Sequence, residues 1–265
     1  MCTLVALHRV RADYPLVVAG NRDELYARRT ASPRRWPGEP PVLAGLDLEK
    51  GGTWLGVSAR GLYVGLTNQR SELPADEGLA SRGEIVGALL HAASLDDALG
   101  VLATVDSDRY NPFNLLLGDG RRLFVVYARP QQRIETHELP PGVWVLPNDR
   151  IGSPDFPKIE RAQTLAEPLV AASWDELIAG VPTLLGDHAQ PPEERLAELH
   201  FPDWLPAPIR GALSAICVHT PRYGTRSATV AALSEGRVER FYYADGPLCR
   251  SSLIEVADLH LALAT

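Results

Sequence analysis

The chain is poor in lysine, methionine and cysteine. Its 265 residues hold a single Met, lysine only at positions 50 and 158, and three cysteines, Cys2, Cys217 and Cys249. An odd cysteine count with no Cys-x-x-Cys pair writes neither a disulfide framework, nor a zinc knuckle, nor a covalent c-type haem site. The seven histidines include no pair at i, i+4 spacing, so no metal ligand set is expected. No basic excess exists either: the net charge is −7, which removes the electrostatic footprint of a nucleic-acid partner. Apolar runs fall short of the ~18 residues that a membrane span needs. The run Leu4-Val5-Ala6-Leu7 is short, has no basic region before it and is followed by His8, Arg9 and Arg11. It does not read as a signal peptide. A reducing, cytoplasmic setting is the expectation.

What is present begins at the second residue. Removal of Met1 would place a thiol and a free α-amine on Cys2. An α-amine near pKa ~7.7–8.0 can accept the proton of a thiol near ~8.5 as attack begins. That is the logic of an N-terminal nucleophile, whose base is built into the same residue.

The pattern predicts a strand from Cys2 to Val10 and another over Leu16-Val17-Val18-Ala19-Gly20, with a turn at Ala12-Asp13-Tyr14-Pro15. A hairpin centred on residue 13 sets Cys2 opposite Glu24 and Leu4 opposite Arg22. Either way it delivers Asn21-Arg22-Asp23-Glu24 to the side of Cys2. In that cluster Arg22 would favour the thiolate, Asp23 would hold the α-ammonium, and Asn21 could donate to an oxyanion. Set against this is a plain solvated turn, whose ion pairs contribute little.

Further strands are expected over 51–58 and 62–68, 114–118 and 123–127, 134–139, 143–146, 215–220, 227–233 and 238–243. Helices are expected after capping boxes at Ser81 and Ser94, over 158–169, and from Ser173 to Leu185; a last helix or strand is expected over 253–261. The segment 186–192 reads as a surface loop. Strands, two helices, strands, two helices, strands is the order of two antiparallel sheets with helices outside them. Asn68, Asn114 and Asn148 stand at strand ends, where an uncharged donor could meet a carbonyl oxygen or serve only a turn. Arg226, in Tyr223-Gly224-Thr225-Arg226-Ser227, offers a second cation.

Met1-Cys2, Asn21-Arg22-Asp23-Glu24, Gly51-Gly52-Thr53-Trp54-Leu55-Gly56, Leu66-Thr67-Asn68, Ser81-Arg82-Gly83, Asn111-Pro112-Phe113-Asn114-Leu115, Pro157-Lys158 and Tyr223-Gly224-Thr225-Arg226-Ser227 occur in that order. Together they resemble the NRDE family, also called the transport and Golgi organisation protein 2 family, over residues 1 to about 245. The resemblance implies one domain over residues 1–265, an α+β four-layer αββα sandwich of two antiparallel sheets flanked by helices, like that of N-terminal nucleophile hydrolases. It implies Cys2 as nucleophile, Arg22 and Asp23 as its helpers, Asn148 at the oxyanion and Arg226 as a late cation. Asn21, Thr67, Asn68 and Asn114 are the accompanying substrate or oxyanion candidates. Relative to those hydrolases, the order and spacing of Arg22 and Asp23 differ, and Pro147 stands where Ser or Thr is expected. The implied activity is cleavage of a linear amide or related acyl bond with no required cofactor. The rival is a non-enzymatic carrier of haem, acyl-coenzyme A or another lipid.

Overall fold

The computed structural model describes residues 2–256. Among the described residues, thirteen strands form two antiparallel sheets. The first contains β1 (Thr3–His8), β2 (Leu16–Leu25), β10 (Gly142–Leu146), β11 (Tyr223–Ser234), β12 (Arg237–Ala244) and β13 (Ile254–Glu255), in the order β10-β1-β2-β11-β12-β13. The second is a meander of β3 (Thr30–Trp36), β4 (Val42–Asp47), β5 (Leu55–Ser58), β6 (Tyr63–Asn68), β7 (Phe113–Gly118), β8 (Leu123–Ala128) and β9 (Glu135–Glu138), adjacent in chain order.

Side-chain alternation along each strand divides the apolar residues into three layers. Leu4, Ala6, Leu16 and Val18 of the first sheet meet Leu43, Val57, Tyr63 and Leu116 of the second, filling the space between the sheets. The opposite pleats, Val5, Leu7, Val17 and Ala19, pack under α3 (Lys158–Ala171) and α4 (Trp174–Leu185). Val64, Leu66, Leu115 and Leu117 pack under α1 (Arg82–Leu90) and α2 (Leu95–Ala103). Helix, sheet, sheet, helix is the expected αββα sandwich. It explains why β1, β7 and β8 read as unbroken apolar runs: both faces are covered.

Several local expectations differ from the structure. The β1–β2 register is Thr3↔Asn21 and Leu4↔Gly20, two residues away from the predicted one. Cys2 therefore lies beside Arg22 rather than opposite Glu24. The connection is longer than a loop about residue 13 would be: β1 ends at His8, opposite Leu16, and just beyond it Arg9 takes positive φ while its N–H bonds the Pro15 carbonyl at 2.6 Å. Strands β3 and β4 were not anticipated. β3, Thr-Ala-Ser-Pro-Arg-Arg-Trp, is an edge strand with little apolar character, where a Pro is tolerated. Residues 215–220 form no strand beyond a single bridge, His219↔Gly224. Two short helices, α5 (Glu193–Glu198) and α6 (Ala207–Leu213), fill the stretch before them. Ser81 caps α1 through Gly83, but Glu84 accepts from the Tyr110 hydroxyl instead of closing a capping box. Ser94 caps α2 through Asp97, and Ser173 makes the full box with Glu176. Of the segment 253–261, Ile254–Glu255 is a strand and residues 257–265 lie outside the described residues.

Gly52 shows how the loops are tied. Its φ is +75°, and a Cβ there would stand 2.5 Å from the Gly83 carbonyl carbon. The Thr53 N–H bonds the Gly83 oxygen at 3.2 Å, closing the β4–β5 loop onto the start of α1. Gly52→Ala combines a left-handed conformation for an L side chain with a backbone clash. It is expected to cost about 2–3 kcal/mol, read as a lower midpoint in urea with the denaturant slope unchanged.

Candidate functional site

Cys2 sits at the open end of the sandwich, just ahead of β1. On one side of it runs β2, and continuing that register places Arg22 alongside. On the other side runs β10, paired Leu4↔Leu146. Continuing that pairing by two residues brings in Asn148. The expected neighbours thus come from two different sequence distances because β1 is interior to its sheet.

Cys2 is 9 % exposed. Burial raises its thiol pKa, opposed in part by the Asp23 backbone N–H, which donates to the sulfur, and by the Arg22 guanidinium. Arg22 is buried as well, stacked 4.2 Å over the Trp54 ring, with Glu24 at 3.7 Å. Its Nη1 has no hydrogen-bond partner among the described residues.

Asp23 is held by β11. The Thr225 hydroxyl donates to Asp23 Oδ1 at 2.6 Å, and the Tyr223 hydroxyl donates to the Asp23 carbonyl at 2.8 Å. Desolvation pushes the Asp23 carboxyl up, and the charge of Lys158 draws it down. Lys158, the first residue of α3, is 2 % exposed and its Nζ has no hydrogen-bond partner among the described residues. Burial pushes its pKa down, against the attraction of Asp23 and Cys2. A thiol, a carboxylate and two cations are thus packed into one desolvated corner.

A cavity of about 330 Å³ opens on this corner, lined by Cys2, Arg22, Asp23, Trp54, Asn68 and Arg82. Leu25, Asn68, Ala75, Arg82 and Asn111 also border a second cavity of about 390 Å³, so the two form limbs of one cleft. The second limb is apolar, walled by Leu73, Phe156, Phe201, Trp204, Ile209 and Leu213. Much of that wall belongs to α6 and the loops around it. Gln69 also lines it, and neither end of its amide has a hydrogen-bond partner among the described residues.

The other candidate residues fall into four groups. Asn148 lines the apolar limb and donates from Nδ2 to the Asn68 carbonyl at 2.7 Å, leaving that nitrogen a second hydrogen. Thr67 and Asn114 are fully buried and face the turn at 147–149. The Thr67 hydroxyl donates to the Pro147 carbonyl at 2.8 Å; Asn114 Nδ2 donates to Thr67 Oγ1 at 3.1 Å and to the Asp149 carbonyl at 3.0 Å. Neither lines the cleft; together they hold Asn148 in place from behind. Asn21 donates to the carbonyls of Leu185 at 2.7 Å and Ile216 at 3.1 Å, tying β2 to the last residue of α4 and to the segment before β11. Arg226 occupies the bulge of β11 and donates to the Tyr26 carbonyl, and it is not among the cleft residues. That bulge is why Thr225, and not Arg226, meets Asp23.

Lys158, Thr225, Trp54, Arg82 and Gln69 received no role from the sequence. Lys158 carried one usable signal: lysine is rare in a chain whose cations are otherwise Arg. Because the buried ammonium lowers its own pKa, the unfolded chain binds more protons there, and stability is lost as pH falls from about 10.5 through the folded value. Lys158→Met is therefore expected to be more stable than the native chain by about 1–3 kcal/mol at neutral pH. The gap should close as pH approaches 10.5, as read by urea unfolding across pH; a less stable variant at pH 7 would show the ammonium to be a needed counter-charge for Asp23.

Comparison with known proteins agrees with the fold. The conjugated bile acid hydrolase of Clostridium perfringens, in a Cys-to-Ala mutant form, superposes with a TM-score of 0.58 over 99 % of this chain and 94 % of its own, at 12 % identity. Penicillin V acylase from Agrobacterium tumefaciens gives 0.59 over 100 % and 89 %, at 15 % identity. Both are N-terminal nucleophile hydrolase folds, and at such identities the likeness concerns architecture alone. In sequence, the Transport and Golgi organization protein 2 homolog of Bos taurus is 33 % identical over 235 residues, covering 82 % of this chain and 81 % of that protein. The family model described as Transport and Golgi organisation 2 matches residues 1–242. The chain belongs to the Transport and Golgi organisation 2 family.

Proposed function

We propose that this protein is an N-terminal cysteine amidohydrolase acting on a linear amide or related acyl bond. The observation that carries the reading is the placement of Cys2 on the wall of a cleft, between Arg22 and Asp23. Once Met1 is removed, the Cys2 thiolate attacks the acyl carbon and its proton passes to the α-amine of the same residue. Asp23 holds the resulting ammonium; Asn148 Nδ2 and a donor near Asn68 receive the oxyanion. The tetrahedral adduct collapses, the amine departs with the proton from the α-ammonium, and a thioester remains. Water then attacks the thioester with the amine as base, releasing the acid and restoring the thiol. The two limbs suggest how a substrate lies: an apolar acyl group against Trp204, Phe201 and Ile209, and a polar leaving group among Arg22, Arg28 and Arg82. Three free thiols suit a reducing compartment such as the cytoplasm.

The test combines intact mass with an electrophilic probe. Met-processed protein incubated with an activated amide or β-lactone is expected to gain one acyl group at Cys2. Identical adduct levels in Cys2→Ala would end the reading.

The apolar limb also favours a second reading, a carrier that holds haem or an acyl-coenzyme A without turning it over. A haem titration followed by Soret absorbance separates the two. Stoichiometric binding that survives Cys2→Ala, with no acyl-enzyme formed, supports the carrier, and an unshifted spectrum removes haem from consideration.

A further inference from the structure

Four side chains from three segments converge near Thr225. His188 follows α4, Cys217 and His219 precede β11, and Cys249 lies in the turn after β12. One ligand atom from each lies within 4.8 Å of all the others. Cys217 Sγ is 4.0 Å from Cys249 Sγ and 3.7 Å from His219 Nε2, and His219 Nε2 is 3.4 Å from Cys249 Sγ.

These separations have a chemical meaning. A tetrahedral zinc with Zn–S near ~2.3 Å and Zn–N near ~2.0–2.1 Å sets edges of roughly 3.8 Å between two sulfurs and about 3.6 Å between sulfur and nitrogen. The three measured edges match. His188 supplies the fourth ligand atom. Its Nδ1 lies 3.2 Å from the Cys217 carbonyl, which can only accept, so Nδ1 carries the hydrogen and Nε2 keeps its lone pair. A backbone carbonyl that fixes the tautomer in this way is a usual companion of a metal-bound histidine.

Hydrogen bonds tie together the segments that carry the four. The Cys217 N–H bonds the Asp187 carbonyl at 2.8 Å, joining the His188 segment to the Cys217 segment. Val218 N–H bonds Thr225 Oγ1 at 2.9 Å and Thr225 N–H bonds the Val218 carbonyl at 2.8 Å. A Cβ on Gly186 would stand 3.2 Å from the Cys249 nitrogen, so the glycine lets the Cys249 turn lie close against the end of α4.

We propose that His188, Cys217, His219 and Cys249 form a four-coordinate Cys2His2 site for a zinc ion. Soft thiolates with imidazoles in a tetrahedron select zinc among the common divalent ions. Four protein ligands leave no open position, so the site is structural and not catalytic. Binding releases the two thiol protons to solvent and yields a neutral centre, with no change of oxidation state. It clips the turn after β12 to the segments after α4 and before β11, behind the Thr225 that bonds Asp23. The inference does not depend on the hydrolase reading. It departs from the sequence-based expectation of no metal, since the ligands come from three segments with no recognisable spacing.

The test uses the full chain, reduced and stripped of metal by a chelator, then titrated with cobalt(II) as a spectroscopic stand-in. The expected result is one equivalent bound, with the strong visible bands of tetrahedral cobalt and a near-ultraviolet thiolate charge-transfer band, both displaced by one equivalent of zinc. Cys249→Ser, at an exposed position where the fold tolerates the change, should bind about 100-fold more weakly or worse and lose part of the charge-transfer intensity. Cys2→Ala should give the native spectrum. Two outcomes overturn the proposal. One is a reduced, folded protein that takes up no stoichiometric cobalt. The other is a spectrum unchanged in Cys249→Ser and His219→Ala, which would place the metal elsewhere.

Discussion

Cys2→Ala is expected to remove acyl transfer almost entirely, by about 10⁴-fold or more in kcat, while leaving the fold intact. The asymmetry follows from the position. Cys2 precedes the first hydrogen-bonded residue of β1, and its side chain lines the cleft instead of filling one of the three apolar layers. Losing the sulfur removes the proposed nucleophile and a single acceptor for the Asp23 N–H, a change of about 1 kcal/mol in stability. Adduct formation with an activated amide, followed by mass spectrometry, measures the first effect and urea unfolding the second. Cys2→Ser keeps the shape but presents a poorer nucleophile, so it should fall close to Cys2→Ala. A variant that kept more than a hundredth of native turnover would show that another group attacks.

Asn114→Leu is expected to do the opposite: a large loss of stability, and loss of activity only as a consequence. Asn114 is fully buried, and its amide nitrogen serves Thr67 and the Asp149 carbonyl. A leucine of similar volume leaves those acceptors without a donor in a water-free site. The cost is roughly 3 kcal/mol, and about 6–12 °C in Tm for a domain of this size. The turn at 147–149 loses its anchor, so Asn148 should lose its position as well. Comparing the residual activity of folded Asn114→Leu with that of Asn148→Ala separates support from direct contact. If Asn114→Leu unfolds at the native midpoint, the network is not holding the turn.

Much of the architecture was legible because each strand answers to a local rule. β1, β7, β8 and β10 are bounded apolar runs, and the serines at 81, 94 and 173 stand at helix N-caps. β3 was not legible, since an edge strand with Pro33, Arg34 and Arg35 carries no apolar period. Residues 215–220 misled for the reverse reason. Ala-Ile-Cys-Val is buried and apolar, yet it packs as irregular backbone whose partners are Asp187 and Thr225. The β1–β2 register was missed by two residues because β1 ends at His8 and not at Val10, which lengthens the loop; Arg9 starts that loop with a positive φ, which is not readable from the residue type Arg.

By itself the sequence determined the layered sandwich, the thiol at position 2 and the proximity of Arg22 and Asp23 to it, because a hairpin is a short-range object whose pairing follows from apolar runs and a turn. Only the tertiary structure decided that Lys158 and Thr225 surround Asp23, that Arg226 turns away at a bulge, and that His188, Cys217, His219 and Cys249 share one point. Those contacts join residues tens to hundreds of positions apart. They depend on how helices settle on a sheet and where a bulge shifts the pleat, and no local period records either.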